Sequence, residues 1–192
     1  MAIRRELAAD YLDRYRPDLA ASLANLSVLF SELDRQAEAL SVTQEAVAIR
    51  RELAAAYPDR YRPDLAASLS NLGATFSELG RRAEALPVTR EAVAIRRELA
   101  ATDPELYRAG LADALANLDA IFSMLDRAAE GLPPTQEAVA IRRELAADYP
   151  DRYRSNLARS LQGLSRTLDA LERPEEAEAA RDEADRILSA PS

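Results

Sequence analysis

"IRRELAAAYPDRYRPDLAASLSNLGATFSELGRRAEALPVTREAVA", residues 49–94, decides how this chain folds, because the same 46 positions are read four times. Residues 3–48, 95–140 and 141–186 align to it without a gap, and the first two copies differ at only ten positions. The letters "AVAIRRELAA" stand unchanged at 46–55, 92–101 and 138–147, and Ala2–Ala9 repeats the last eight of them one period upstream. Repetition at such a period marks a stacked array rather than separate globular domains. Residues 1–192 therefore read as a single array of units 3–48, 49–94, 95–140 and 141–186.

Within the unit, Leu65, Leu69, Leu72, Phe76 and Leu79 alternate steps of four and three, which places them on one stripe of a helix, here called helix A. "RPD" before it suits a start, with Pro63 in the first turn and Asp64 at the positive end of the dipole. Gly80 ends it as a left-handed residue would. A second pattern, helix B, runs from Arg82 through Ala85, Val88, Ala92, Ile95 and Leu99 to about Ala101. So short a connection allows only an antiparallel hairpin.

A lone hairpin leaves one apolar face uncovered, and stacking on copies of itself covers it. Each buried Leu or Phe then contributes ~1.5–3 kcal/mol. The fold class that follows is all-α, an α-solenoid of about nine helices, counting a partial helix at the N-terminus and a polar capping helix at about 173–189. Ala46, Ala92 and Ala138 are small enough to let helices approach closely. Tyr57 and Tyr61, with Tyr11, Tyr15, Tyr107, Tyr149 and Tyr153, read as plugs between helix B and the next helix A, with ligand stacking as the alternative.

Composition narrows the chemistry. The chain has no Cys, His or Trp, and all 25 cationic residues are Arg. Ordinary zinc, copper or haem ligands, thiol nucleophiles, imidazole bases and Schiff-base lysines are all missing, so no cofactor or metal is expected. Only Asp/Glu pairs remain for catalysis, and they fall at solvated helix positions; the chain does not read as an enzyme. A net charge of −8 argues against nucleic acid and anionic membranes. No apolar run approaches the ~20 residues of a membrane span, and no signal peptide opens the chain, so a cytoplasmic location is expected. The Arg-for-Lys bias with abundant Ala points to a bacterial genome rich in GC.

The spacing L69-x2-L72-G73-x2-F76-x3-G80-x4-A85-x6-A92 resembles the tetratricopeptide repeat, in particular the longer repeats of kinesin light chains and bacterial regulatory arrays. The resemblance covers essentially all of the chain. It departs from the common form in its period of 46 against 34, in Leu at 23, 69, 115 and 161 where Trp is usual, and in Thr43, Thr89 and Thr135 where helix B carries an aromatic. It implies a right-handed superhelix that binds protein or peptide on the face lined by the A helices, and no catalysis. The extra residues are expected to lengthen helix B and the loop after it.

A second stripe on helix A is the candidate groove lining. It reads Ala21, Asn25, Val28, Glu32, then Ala67, Asn71, Ala74, Glu78, then Asp113, Asn117, Ala120, Met124, and finally Arg159, Gly163, Arg166, Ala170. Asn25, Asn71 and Asn117 recur once per unit. An amide both donates and accepts, so this ladder suits the backbone of an extended peptide; in the repeats resembled, Asn at the matching place does that. The alternative is that these amides serve neighbouring helices. Arg159 and Arg166, seven apart, either grip an acidic group or make a terminal unit polar. Unit three is irregular, with Ala109-Gly110 in place of Pro-Asp and with Gly131, Pro133 and Pro134 near the start of helix B. Pro87 and Pro133 predict a kinked or late-starting helix B in units two and three.

In "AVAIRRELAA", Arg50, with Arg4, Arg96 and Arg142, is placed to lay its stem over apolar surface and reach the acidic loop of the next unit, while Arg51 reads as convex-side solubility. The reading that results is a non-catalytic scaffold for a protein or extended peptide. Because the chain opens within a helix B and closes on a polar helix, it reads as the C-terminal interaction or sensor array of a larger bacterial protein. A homo-oligomer formed through the N-terminal helix face, with Ile3 and Leu7 exposed, is the alternative.

Overall fold

In the computed structural model, residues 12–189 are described, and among them there are eight helices and no strand. The A helices are α1 (Leu12–Glu32), α3 (Pro58–Glu78), α5 (Pro104–Met124) and α7 (Pro150–Ala170). The B helices are α2 (Gln36–Ala56), α4 (Arg82–Thr102), α6 (Ala128–Asp148) and α8 (Pro174–Ser189). Every boundary recurs at the sequence period, and each helix but the last has 21 residues. The ninth helix expected, the partial one at the N-terminus, lies outside the described residues.

The chain divides into two compact units, Met1–Ile95 and Arg96–Ser192. In the first, α1 packs on α2 and α2 on α3; in the second, α5 packs on α6, α6 on α7 and α7 on α8. The core is the expected stripe: Leu23, Leu69, Leu115 and Leu161, one per repeat, are each 0% exposed. Leu65, Leu72 and Phe76 are buried with Leu69, and Ala46, Ala92 and Ala138 are buried where helices approach. The polar capping helix is α8, which buries only Ala177, Ala180 and Ala184.

Three sequence expectations are corrected. Helix A begins at Pro58, Pro104 and Pro150 instead of at "RPD", and a single residue, Tyr57, Asp103 or Tyr149, joins it to the helix before. Proline without an N–H is well placed at the first helical position, so "YPDRY" continues as helix, and Pro63 lies inside α3. The added length of the repeat therefore goes into both helices, with no loop after helix B. Tyr61 is buried, but Tyr57 and Tyr149 are 53% and 59% exposed, so the two linking tyrosines do not plug a gap. Of the kinked or late-starting helix B expected in units two and three, the late start does not occur. Pro87, Pro133 and Pro134 sit in the second turn, where few intrahelical bonds are lost, and α4 and α6 start in register with α2.

The turn within each hairpin is built alike. Gly80 has φ 70°, and Asp34, Asp126 and Glu172 take φ 56–58° at the same place. The next residue closes a long C-terminal bond, Arg35 N–H to Phe30 O, Arg81 to Phe76, Arg127 to Phe122 and Arg173 to Leu168. Its guanidinium also pairs with the carboxylate three residues on, Glu38, Glu84, Glu130 or Glu176, and lies over Phe30, Phe76 or Phe122. A left-handed glutamate is strained where glycine is not. Glu172→Gly is therefore expected to raise stability by up to ~1 kcal/mol, and Gly80→Ala to lower it by ~1 kcal/mol, in urea denaturation.

Arg51 holds more than solvent. It forms paired bonds to Glu91 of the next helix B, and Arg97 and Arg143 reach Glu137 and Glu183 in the same way. These pairs are half exposed, so each contributes no more than ~1 kcal/mol. Arg50 donates to Asp64 O at 3.2 Å and to Ser68 Oγ, both within α3, because the segment expected as an acidic loop is helical. Unit three lacks that serine, and the Arg96 guanidinium instead lies where a Cβ of Gly110 would stand.

Candidate functional site

The A-helix stripe lies on the surface as the 3.6-residue period requires. Ala21, Asn25, Val28 and Glu32 on α1, Asn71, Ala74 and Glu78 on α3, Asp113 and Asn117 on α5, and Arg159 and Arg166 on α7 are exposed, while Ala67 is half-buried. Among the described residues no side-chain hydrogen bond holds Asn25, Asn71 or Asn117. Their amides face outward beside small side chains.

In the second unit four of the expected residues come together. Asp113, Asn117, Arg159 and Arg166 line one cavity of about 470 Å³ between α5 and α7, floored by Thr135 and Ala138 of α6. The members on α1 and α3 lie outside it. Arg142, buried in the wall, donates to Asp113 Oδ1 at 2.7 Å, to Asn156 O at 3.1 Å and to Ser160 Oγ, and so ties three helices together.

The same cavity contains Asp119, a residue that sequence reasoning missed, only 9% exposed. It stands where helix A presses closest on helix B. The counterparts are Ser27, hydrogen-bonded to Thr43 at 2.5 Å; Gly73, where a Cβ would run into Thr89 Oγ1; and Ser165, which accepts from Arg181 at 2.9 Å. Asp119 accepts from Thr167 Oγ1 at 3.0 Å and is hydrogen-bonded to Thr135. Burial pushes its carboxyl above the usual range, and those bonds with the Arg166 charge pull it part of the way back. Gly131 makes the room: a Cβ there would stand 3.0 Å from Asp119 Oδ1. The signal available in the sequence was comparison of the units, since Asp119, Gly131 and Gly163 all break the repeat in one place.

A sequence model of the tetratricopeptide repeat matches residues 19–56 and again 65–104. Those two stretches are tetratricopeptide repeats. Solved structures share the fold: BtubC (BKLC) from P. vanneervenii at a TM-score of 0.79 and 21% identity, over 100% of this chain and 74% of that one. A putative kinesin light chain of Podosopora anserina with nearly identical TPR-like repeats superposes at 0.73 and 20% identity, over 96% and 82%. MamA superposes at 0.58 and 12% identity, over 96% and 84%. No curated protein sequence matches the chain. At these identities the structures establish the tetratricopeptide fold, and the site rests on this chain's own residues. Among the described residues no helix is long and apolar enough to cross a membrane, and no cluster of acidic side chains has the makings of a metal site.

Proposed function

We propose that the chain is a non-catalytic scaffold whose tetratricopeptide repeats hold a protein or extended peptide along the A-helix stripe, with Asn25, Asn71 and Asn117 bonding the ligand backbone. The observation that carries this is the set of three outward amides, one in each of the first three repeats, with no side-chain hydrogen bond among the described residues. Ala21, Val28, Ala67 and Ala74 leave room for a strand beside them, while Glu32, Glu78, Asp113, Arg159 and Arg166 bias its side chains. The four units act as one array, in the cytoplasm of a bacterium, as the interaction or sensor part of a larger protein. A peptide-array screen followed by titration of the hits tests the reading. Asn71→Ala and Asn117→Ala are each expected to weaken a hit about threefold to tenfold, the worth of one or two net hydrogen bonds. Hits indifferent to both substitutions would overturn the ladder.

One observation favours self-association as a second reading. Leu29 is 54% exposed on α1, whereas its counterparts Thr75, Ile121 and Thr167 are buried, and Val28 and Leu33 lie exposed beside it. Ile3 and Leu7, the apolar residues first expected on this face, lie outside the described residues. A second copy covering this patch would give a molar mass that rises with concentration in light scattering and returns to the monomer value in Leu29→Ser/Leu33→Ser. A constant monomer mass would remove this reading.

A further inference from the structure

The cavity in the second unit has a notch that the other repeats fill. Gly163 stands where they carry Asn25, Asn71 and Asn117. A Cβ at 163 would lie 3.6 Å from Asp119 Oδ2 and 3.9 Å from Arg166 Nη2, so a group entering the notch meets a carboxylate oxygen and a guanidinium in the first layer. Arg159 and Arg166 are four residues before and three after Gly163 on α7, hence on the same face to either side of the notch.

The charges around it are not equally available. Arg142 and Asp113 are spent on each other and on α7. Among the described residues, Arg159 has no hydrogen bond, ion pair or ring contact, and Arg166 meets only Asp119, through space. One buried acid and two open bases remain. A simple anion is opposed by Asp119 and a simple cation by the two arginines, but a ligand with an ammonium and a carboxylate on one carbon satisfies all three.

We propose that this pocket binds a free α-amino acid, its ammonium seated over Gly163 on Asp119 Oδ2 and its α-carboxylate held between Arg159 and Arg166. Both charged groups sit on one carbon, which matches an acid at the bottom of the notch and bases at its rim. The side chain then runs out past Asn117 and Ala120, which line the same cavity. A volume of about 470 Å³ accommodates an amino acid with its side chain and ordered water. The pocket shares Asn117, Arg159 and Arg166 with the proposed peptide groove, but its ligand differs, because an internal peptide segment carries neither an α-ammonium nor an α-carboxylate.

Isothermal titration of the full chain at pH 7 with each of the twenty free L-amino acids tests it. At least one is expected to bind with Kd below about 1 mM. N-acetylating that amino acid, or converting its α-carboxylate to the amide, weakens binding at least tenfold, and Arg159→Gln does the same. Gly163→Asn restores the side chain of the other three repeats at ordinary van der Waals distance and abolishes binding, while the circular dichroism spectrum and melting curve stay as in the parent. The proposal is overturned if no amino acid binds, if binding survives N-acetylation, or if it survives Gly163→Asn. Peptide-array hits that respond to Asn71→Ala would leave the groove reading standing in any of those cases.

Discussion

Replacing Asp119 with serine is expected to raise stability at pH 7 by ~1–3 kcal/mol, the cost of holding an imperfectly compensated polar group away from water. The position gives a built-in control. Ser27 and Ser165 stand at the same tight approach of helix A to helix B, so serine is a residue this geometry already accepts. Adding Gly131→Ala should raise stability further by up to ~1 kcal/mol, because Ala39, Ala85 and Ala177 occupy that place in the other repeats, and only Asp119 and Phe122 crowd a Cβ there.

The pH dependence separates this from simple repacking. Burial raises the Asp119 carboxyl above its unfolded value. The group therefore contributes stability below the ordinary carboxylate range, and that contribution is lost as pH rises through the raised value. The advantage of Asp119→Ser should be largest at pH 7 and shrink as pH is lowered toward 4, in paired urea titrations of parent and variant. An advantage that stays constant over that range would assign the effect to packing and not to the charge. A buried carboxylate that three of four repeats do without, with two glycines making room around it, is a local cost to the fold; its position at the bottom of the Arg159/Arg166 notch is consistent with a site kept for binding.

The hairpins were legible because their signals are local and periodic. The Leu65–Leu79 stripe, Gly80 and the small residue at Ala46 each act within one helix or one turn, and each is where the pattern puts it. The start of helix A was misread because two prolines five residues apart, Pro58 and Pro63, both suit a first turn, and only the packing of Tyr61 into the core decides for the earlier one. The groove stripe was legible as an exposed helical face, yet its cavity was not. Asp119 meets Thr167 across 48 residues of chain, and Arg142 meets Asp113 across 29; a helical wheel drawn on one element cannot show either. Arg51 was misjudged for the same reason, since its partner Glu91 stands one repeat away.

Leu69→Ala is expected to lower stability by ~2–5 kcal/mol, since a leucine with no exposed surface loses both its transfer free energy and the contacts of the cavity left behind. Leu115→Ala should cost a similar amount, because the same 0% exposure recurs one period on. The more discriminating change is Leu69→Trp. Trp is the usual residue at this place in shorter tetratricopeptide repeats, so family preference alone expects a neutral or favourable result. Packing expects the reverse: Leu69 is fully enclosed, with buried Leu65, Leu72 and Phe76 on the same stripe, and a larger ring has to displace them, at ~1–3 kcal/mol or more. Urea denaturation of Leu69→Ala, Leu69→Trp and the parent decides between them. A Trp variant as stable as the parent would mean that the core of the long repeat has the spare volume of the short one; a loss comparable to that of the Ala variant would show that this core is closed around leucine.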